Sequence, residues 1–282
     1  MQVVQTIAQL RAILQPCRSE GRSVGFVPTM GYLHDGHMAL VQRARRENDV
    51  VVVSIFVNPT QFGPNEDLAA YPRDLERDLA LLDKGGTDQV FCPSVEELYP
   101  PGYMTYVHIE GAVTETLCGR SRPGHFRGVA TIVSKLFHLV MPHRAYFGQK
   151  DAQQVAVIQQ MVRDLDFDLE VVPCATVREA DGLALSSRNT YLTTAQRAQA
   201  PLIHQALQDA RSTIAAGERR AVKVVERIKD RLAAIDDSTI DYVSVVDART
   251  LADLETVTGE ALIALAIRVG RTRLIDNIRV QV

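Results

Sequence analysis

Short apolar runs alternate with amphipathic stretches through the first two thirds of the chain. The runs "SVGFVPT" (23–29) and "DVVVVSIFVNP" (49–59) are rich in β-branched residues, whereas "HMALVQRARREN" (37–48) repeats its apolar residues at helical spacing. Strands that are apolar throughout are typical of parallel sheets that helices cover on both faces. The pattern therefore predicts an α/β fold with a Rossmann-like, doubly wound parallel sheet.

The same alternation predicts the other elements around this sheet. A helix is expected at residues 4–14, ahead of the first strand. The further expected elements are a helix at 72–86, a strand at 87–94, a helix at 130–143, a strand at 144–149, a helix at 150–165 and a strand at 168–177.

The pattern changes near residue 176, where a polar loop, "READGLALSSRN" (178–189), begins. The elements expected after it are long amphipathic helices at 193–217 and 219–235 and strands at 238–250, 260–269 and 273–280. Because these strands are close together and less uniformly apolar, we expect them to pair in antiparallel fashion. The sequence thus predicts a Rossmann-like domain at residues 1–176 and a smaller α+β C-terminal domain at residues 177–282.

The bulk composition excludes several classes of protein. A net charge of -3 argues against a general nucleic-acid binder, which needs a basic face. The longest apolar runs are too short to span a bilayer, and the N-terminus lacks the features of a secretory signal. The four cysteines are widely scattered without a C-x-x-C pair, which indicates neither a disulfide framework nor a zinc knuckle. We therefore expect a cytoplasmic protein that binds neither nucleic acid nor membranes.

The segment "VPTMGYLHDGHMALV" (27–41) carries the first candidate chemistry. His34 and His37 stand where a predicted strand gives way to a helix, and their spacing puts both imidazoles on one side of the first turn. Gly36 leaves room for a ligand, and the backbone N–H groups of a helix start attract anions. The pair therefore suits the phosphates of a nucleotide. The alternatives are a metal site, for which the expected third ligand is not nearby, and a pair of helix caps without function.

Two later segments also have a composition suited to phosphate. "YFGQKDAQQ" (146–154) again joins a strand, a glycine turn and a helix start, with Lys150 placed to meet a phosphate. The alternative for this lysine is a solvated surface charge. "LSSRN" (185–189) offers two hydroxyls and a guanidinium in a polar loop, and its alternative is a serine-rich linker. The presence of the other two anion sites favours the phosphate role.

Two segments between these carry further polar groups. Gln61 follows a strand end, so its amide is a candidate for reading a polar substrate, and the alternative is a turn residue after an Asn-Pro pair. "RPGHFRG" packs Arg122, His125 and Arg127 around two glycines. This composition fits either an anion-binding loop or a plain surface turn.

Taken together, these segments resemble the pantoate–β-alanine ligase (pantothenate synthetase) family of the nucleotidylyltransferase superfamily. The resemblance is carried by five motifs that occur in order at family-like spacing: "PTMGYLHDGH", "VNPTQFGPNEDLAAYPR", "RPGHFRGV", "FGQKDAQQ" and "SSRN". It covers essentially the whole chain. A His-x-Gly-His element alone would be weak support, and the combination makes the match specific.

The resemblance implies a reaction and its partners. ATP would adenylate the carboxylate of pantoate and release pyrophosphate, and the amine of β-alanine would then attack pantoyl adenylate to give pantothenate and AMP. Residues 1–176 would bind ATP and pantoate, and residues 177–282 would close over the site. Mg²⁺ is expected as a partner of ATP that phosphate oxygens hold. A homodimer formed through the N-terminal domain is also implied.

The resemblance implies roles for individual residues. His34, His37 and Lys150 would be catalytic, with His37 as the proton donor, while Gln61 and Gln154 would grip pantoate and Gln61 would also meet β-alanine. The residues implied to contact ATP are Met30, Gly31, Tyr32, Leu33, His34, Asp35, Gly36, His37, Gly148, Gln149, Lys150, Asp151, Val177, Leu185, Ser186, Ser187 and Arg188. No protein side chains are expected to form a metal cage.

Two departures from the family pattern concern the nucleotide contacts. Gln149 stands where many relatives carry Glu, and Leu185 stands where Met often precedes the serines.

Two other functions compete with the ligase interpretation. One is a nucleotidylyltransferase that stops at a nucleotidylated product, and the other is a nucleotide-binding regulator that has lost catalysis.

Overall fold

Six parallel strands form the larger sheet of the computed structural model, which describes residues 1–64 and 66–282. The strands are β1 (Gln2–Val4), β2 (Val24–Thr29), β3 (Val50–Ile55), β4 (Gln89–Phe91), β5 (Arg144–Gly148) and β6 (Glu170–Cys174). They lie in the order β1-β4-β3-β2-β5-β6, and every neighbouring pair is parallel. The predicted doubly wound parallel sheet is confirmed.

The direction of winding reverses between β2 and β5. From β2 the chain proceeds to β3 and β4 on one side, and it later forms β5 and β6 on the other. Phe26 of β2 pairs with Ala145 of β5, so the carboxyl ends of these two strands are adjacent. In open α/β sheets, ligands bind in the crevice outside such a reversal.

Helices connect the strands of this sheet. They are α1 (Ile7–Ser19), α2 (Asp35–Glu47), α3 (Leu75–Lys84), α4 (Val95–Leu98), α5 (Ala112–Glu115), α6 (Leu117–Ser121), α7 (His125–Val140) and α8 (Ala152–Asp164). Short 3₁₀ turns lie at Pro59–Gln61 and Gln149–Asp151. Helix α2 shows the underlying pattern, because Met38, Val41 and Ala44 bury one face against a core that includes Val27 and Val53.

The first helix differs from its prediction. The helix expected at 4–14 starts at Ile7 instead, behind a capping box formed by Thr6 and Gln9, and it runs on through Pro16 to Ser19. The residues ahead of it form β1, which pairs with β4 at one edge of the sheet. A strand of this length is too short to show a periodic pattern, so the sequence alone did not indicate it.

Other boundaries also differ. Helix α7 begins at His125 rather than at residue 130, because Gly128 packs inside the helix instead of marking a turn. The helix expected at 193–217 is divided into α9 (Thr194–Gln199) and α10 (Leu202–Ala215). Pro201 lies at the break, where it has no N–H to continue the hydrogen-bond ladder.

The second sheet has an antiparallel order β7-β8-β9, as predicted. Its strands are β7 (Ser238–Asp247), β8 (Glu260–Val269) and β9 (Thr272–Gln281), and α11 (Ala221–Leu232) follows α10 in the chain. Strand β8 is buried on both faces: Ile263 lies in the same core as α10 and α11, whereas Leu262 packs in a cluster with Leu117 of α6. The predicted smaller α+β fold is therefore confirmed.

Packing divides the chain into two compact units. The first unit, the N-unit, comprises residues 1–109, 123–149 and 157–175. The second, the C-unit, comprises residues 110–122, 150–156 and 176–282. This division differs from the expected boundary at 176/177, because α5, α6 and the start of α8 belong with the antiparallel sheet.

Candidate active site

Two histidines form the N-terminal cap of helix α2. His34 is the N-cap residue, and its Nδ1 accepts a hydrogen bond of 3.2 Å from the N–H of Gly36. Nδ1 of His37 accepts a bond of 3.3 Å from the N–H of His34, which completes a capping box. The ring centroids are 4.1 Å apart. Both histidines therefore cap the helix through Nδ1.

These caps fix the tautomer of both rings. A nitrogen that accepts a hydrogen bond carries no proton, so in each neutral imidazole the proton resides on Nε2. Each ring therefore has an Nε2–H donor at the edge opposite the cap. The capping geometry and a role toward an anion are compatible, because they use different nitrogens of the same side chain.

The turn before the histidines is held by a buried carboxylate. Gly31 and Tyr32 have positive φ values of 79° and 49°, and the following N–H groups converge on Asp78 of α3. Its oxygens accept bonds of 2.6 Å from the N–H of Tyr32 and 2.7 Å from that of Leu33. Burial raises the pKa of Asp78, and these backbone bonds oppose that rise. Asp78 thereby fixes the backbone that leads into the histidines.

The amide of Gln61 is oriented by its neighbours in the N-unit. Asn58, which is 1% exposed, donates bonds from Nδ2 to Oε1 of Gln61 at 3.0 Å and to the carbonyl of Gly128 at 3.2 Å. Oδ1 of Asn58 accepts a bond of 2.9 Å from the hydroxyl of Tyr99. With its oxygen bound to Asn58, Gln61 directs Nε2 to the sulfur of Met30 at 3.3 Å. Gln61 and Met30 are thus brought together.

The segment "RPGHFRG" leads into helix α7. Nδ1 of His125 lies 2.8 Å from the carbonyl oxygen of Gln61. The guanidinium carbon of Arg127 lies 3.8 Å from the ring centroid of Tyr106, which is a cation–π contact. Gly128 faces the 3₁₀ turn that contains Gln61. The segment therefore supports the position of Gln61. Both His125 and Arg127 lie in the first turn of α7 and not in a separate loop.

The structure brings two of the predicted ATP-contact segments to one edge of the large sheet. Met30–His37 follow β2, and Gly148 ends β5 with Gln149 directly after it. Since β2 and β5 are neighbours at the reversal of winding, both segments border the same crevice. Gln61 follows the next strand, β3, in a 3₁₀ turn.

Two adjacent glutamines at the start of α8, within the C-unit, differ in burial and in their hydrogen bonds. Gln153 is buried, donates to the carbonyls of Val113 and Thr116, and accepts from the N–H of Cys118. Gln154 is only partly buried. Gln153 therefore has a structural role, and the predicted substrate contact remains assigned to Gln154.

The "LSSRN" segment follows a structured hairpin of residues 177–185. The N–H of Leu185 donates to the carbonyl of Val177 at 3.0 Å. Ser186 then caps a 3₁₀ turn at Ser187–Tyr191, and its Oγ accepts from the N–H of Arg188 at 3.3 Å. The serine-rich linker interpretation is wrong, because the segment has a defined backbone and a capped turn.

Comparison with known proteins identifies the family. A sequence model described as Pantoate-beta-alanine ligase matches residues 2–279. The chain is 56% identical over 282 residues to "Pantothenate synthetase" of Acetivibrio thermocellus, covering 100% of both chains. The crystal structure of pantothenate synthetase from Thermus thermophilus superposes with a TM-score of 0.94 at 51% identity, covering 99% of each chain. The chain belongs to the pantoate–β-alanine ligase family.

Another structure of the family is a complex with ligands. The pantoate–β-alanine ligase of Francisella tularensis, described as complexed with beta-gamma ATP and beta-alanine, matches with a TM-score of 0.82 and 35% identity. The alignment covers 99% of this chain and 97% of that chain. Both the sequence and the fold thus identify the present chain as a pantoate–β-alanine ligase.

Two features are absent from the part of the ligase that the structure describes. Across residues 1–64 and 66–282, no three His, Cys, Asp or Glu side chains are grouped so that they could hold a metal ion. Among the same residues, no helix has the length and apolar character needed to cross a membrane.

The sequence did not indicate two residues that shape the candidate site. Asp78 lies one turn before Leu82 on the buried face of α3, and a carboxylate at such a position is a detectable signal. Asn58 caps the 3₁₀ turn before Pro59, so its sequence context indicated a turn but not its bond to Gln61.

Proposed function

We propose that the ligase condenses pantoate with β-alanine through a pantoyl adenylate intermediate, consuming ATP and giving pantothenate, AMP and pyrophosphate. The observation that carries the proposal is the pair of histidines at the start of α2, which hold two Nε2–H donors beside the crevice of an open α/β sheet. The family membership supplies the identity of the substrates.

The first step activates a carboxylate. An oxygen of pantoate attacks the α-phosphorus of ATP, and the bond to the bridging oxygen breaks, so pyrophosphate departs with the bonding electrons. A free carboxylate resists nucleophiles because of its charge and its poor leaving group. In the second step the amine of β-alanine attacks the acyl carbon, AMP leaves, and the nitrogen loses a proton to form the amide.

We assign to the two histidines the role of stabilising the negative charge on the departing pyrophosphate. His34 and His37 contact the triphosphate, and His37 donates from Nε2 as pyrophosphate leaves. Lys150 adds a positive charge toward the phosphates, and Ser186, Ser187 and Arg188 contact the β- and γ-phosphates. The remaining proposed contacts to ATP are Met30, Gly31, Tyr32, Leu33, Asp35, Gly36, Gly148, Gln149, Asp151, Val177 and Leu185.

Two amides are assigned to the other substrates. Gln61 and Gln154 hold pantoate, and Gln61 also meets β-alanine. The bond from Asn58 supports this role for Gln61, because it fixes which end of the amide carries the donor. The carbonyl oxygen is occupied by Asn58, so the Nε2–H₂ group is the part of Gln61 suited to a carboxylate or hydroxyl.

Mg²⁺ is proposed as the partner of ATP. The donor set fits an ion held chiefly by phosphate oxygens and water, since no cluster of three ligating side chains occurs among the described residues. When bound, the ion neutralises phosphate charge.

We also propose a cytoplasmic homodimer. The four free cysteines suit a reducing compartment, and the dimer rests on the family resemblance alone and is testable by sedimentation.

The deciding experiment is pantoate-dependent exchange of labelled pyrophosphate into ATP, with Mg²⁺ present and β-alanine absent. Exchange is expected, because reversible formation of an acyl adenylate returns label to ATP. The control omits pantoate. Absence of exchange in folded protein that binds ATP would refute the adenylate and favour a nucleotidylyltransferase with another acceptor.

A further inference from the structure

A buried ion pair joins the 177–185 hairpin to strand β9 inside the C-unit. The guanidinium of Arg178 donates from Nη1 to Oδ2 of Asp276 at 2.6 Å and from Nη2 to Oδ1 at 2.8 Å. The Asp276 side chain is 2% exposed, and that of Arg178 is 19% exposed. Arg178 also donates to the carbonyl of Gly182 at 3.1 Å, so the same guanidinium closes the hairpin.

The strand that receives this pair also holds the backbone of Lys150. Asn277, the neighbour of Asp276, donates from Nδ2 to the carbonyl oxygen of Lys150 at 2.9 Å. The N–H of Asn277 in turn donates to Oδ1 of Asp276 at 2.8 Å. Two adjacent residues of β9 therefore anchor both the start of α8 and the hairpin that precedes Ser186.

The hairpin is anchored on a second side by Arg197 of α9. Its Nη2 lies 2.6 Å from Oε2 of Glu179, and its Nη1 lies 2.6 Å from Oδ2 of Asp181. Asn189, which follows the two serines, donates to Oε1 of Glu179 at 3.1 Å and to the carbonyl of Ala184 at 3.1 Å. The hairpin is therefore held by β9 through Arg178, by α9 through Arg197 and by the last residue of the "SSRN" segment, Asn189.

Stability alone does not account for the buried pair. Removing two charges from water is costly, and well-packed apolar residues are often as stable as a buried ion pair. A bidentate arginine–carboxylate pair, however, specifies both the distance and the orientation of the segments that it joins. Such a pair suits a place where two segments must stand in a defined register.

We propose that Arg178 and Asp276 are positioning residues for adenylate formation, which set the register between Lys150 and the Ser186–Arg188 segment. The inference rests on the proposed function, in which these two segments contact the phosphates of ATP. Neither positioning residue contacts substrate in this scheme. They act by holding the backbones that carry the phosphate contacts, where a displacement of about 1 Å costs on the order of 10²-fold in rate.

The test compares Asp276→Asn with a matched control, Asp241→Asn. Asp241 pairs with Arg273 at 2.7 Å in the same antiparallel sheet, and its hydrogen bonds do not involve the hairpin or Lys150. Asp276→Asn is expected to lower pantoate-dependent pyrophosphate exchange by about tenfold or more and to raise the KM for ATP. Asp241→Asn is expected to leave both within about twofold.

A second measurement separates positioning from general damage. Pantoyl adenylate supplied directly with β-alanine bypasses the phosphate contacts, so its conversion by Asp276→Asn is expected to stay within about twofold of wild type. Arg178→Lys keeps the charge but loses the bidentate geometry and is expected to lose exchange to an intermediate degree. Equal losses in Asp276→Asn and Asp241→Asn, or equal losses in both half-reactions, would overturn the inference.

Two other outcomes are also informative. If Asp276→Asn does not fold, Arg178→Lys decides alone: lost exchange at an unchanged melting temperature supports positioning, and full exchange refutes it. If wild type shows no exchange, the proposed function fails. The positioning inference is then judged by ATP affinity, which should fall in Asp276→Asn and not in Asp241→Asn, and an equal affinity in both would reject it.

Discussion

Replacing Gly128 with alanine tests how the position of Gln61 is set. Gly128 lies in the second turn of α7, where its Cα faces the 3₁₀ turn Pro59–Gln61. A Cβ added there would lie 2.3 Å from the carbonyl oxygen of Thr60 and 2.6 Å from the backbone nitrogen of Gln61. Both neighbours are backbone atoms, so neither can move aside by a side-chain rotation.

The required displacement follows from these distances. Ordinary contact begins near 3.4 Å, and the difference from 2.3 Å means that the turn must retreat by about 1.1 Å. A retreat of this size moves Gln61 away from its contacts. If the whole displacement is passed to the substrate, the rate falls on the order of 10²-fold. Overpacking also costs about 1–3 kcal/mol, against a gain of about 1 kcal/mol for replacing glycine inside a helix.

The assay measures the KM for pantoate in the pyrophosphate exchange reaction and the affinity for ATP by calorimetry. Gly128→Ala should raise the KM for pantoate by about tenfold or more and leave the affinity for ATP unchanged. Gly63→Ala is the matched control, because the nearest described atoms to its added Cβ belong to the Glu66 side chain, at 3.8 Å. A stabilised Gly128→Ala variant with a normal KM for pantoate would refute the role of this close contact.

Three further predictions concern other residues. His37→Ala should lower pyrophosphate exchange on the order of 10²-fold by removing one donor to the leaving group, and near-normal exchange would contradict the assigned role. Asn58→Asp should raise the KM for pantoate by about tenfold while the KM for ATP is kept, because a carboxylate oxygen would then face Oε1 of Gln61; equal changes in both constants would count against it. Burial, together with the nearby charge of Arg178, lowers the pKa of His204 from its ordinary value of 6.5, so the folded state favours the neutral ring. Stability should therefore fall as the pH drops below about 6.5, where the unfolded chain binds the proton more readily, and melting temperatures at pH 7 and pH 5 should differ less in His204→Gln than in wild type.

The fold was predictable where the pattern was long and local. Uniformly apolar strands such as β3 indicated the parallel sheet, and the amphipathic face of α2 indicated its helix. The two prolines show the limit of this reasoning. Pro201 interrupts the stretch that was predicted as one helix at 193–217, but Pro16 is accommodated within α1, whose end is closed by a bond from the N–H of Glu20 to the carbonyl of Pro16. Only the packing around a proline decides between these outcomes.

The site was predictable only in its local motifs. The histidine pair and the "SSRN" segment are each contiguous in sequence, so their composition was enough to make them candidates for phosphate contacts. The supporting residues are distant: Asp78 lies 46 residues from Tyr32, and Asp276 lies 98 residues from Arg178. Sequence spacing carries no signal for such pairs, because the fold alone brings them into contact.

The capped histidines have a consequence for the entropy of ligand binding. The bonds between Nδ1 and the backbone form when α2 folds, so the side-chain torsions of His34 and His37 are restricted before any ligand is present. Freezing a mobile side chain at an interface costs about 0.5–1.5 kcal/mol. If the two histidines contact the triphosphate as proposed, their donors are oriented before ATP binds, and the entropy cost of ordering them falls on folding rather than on each catalytic cycle.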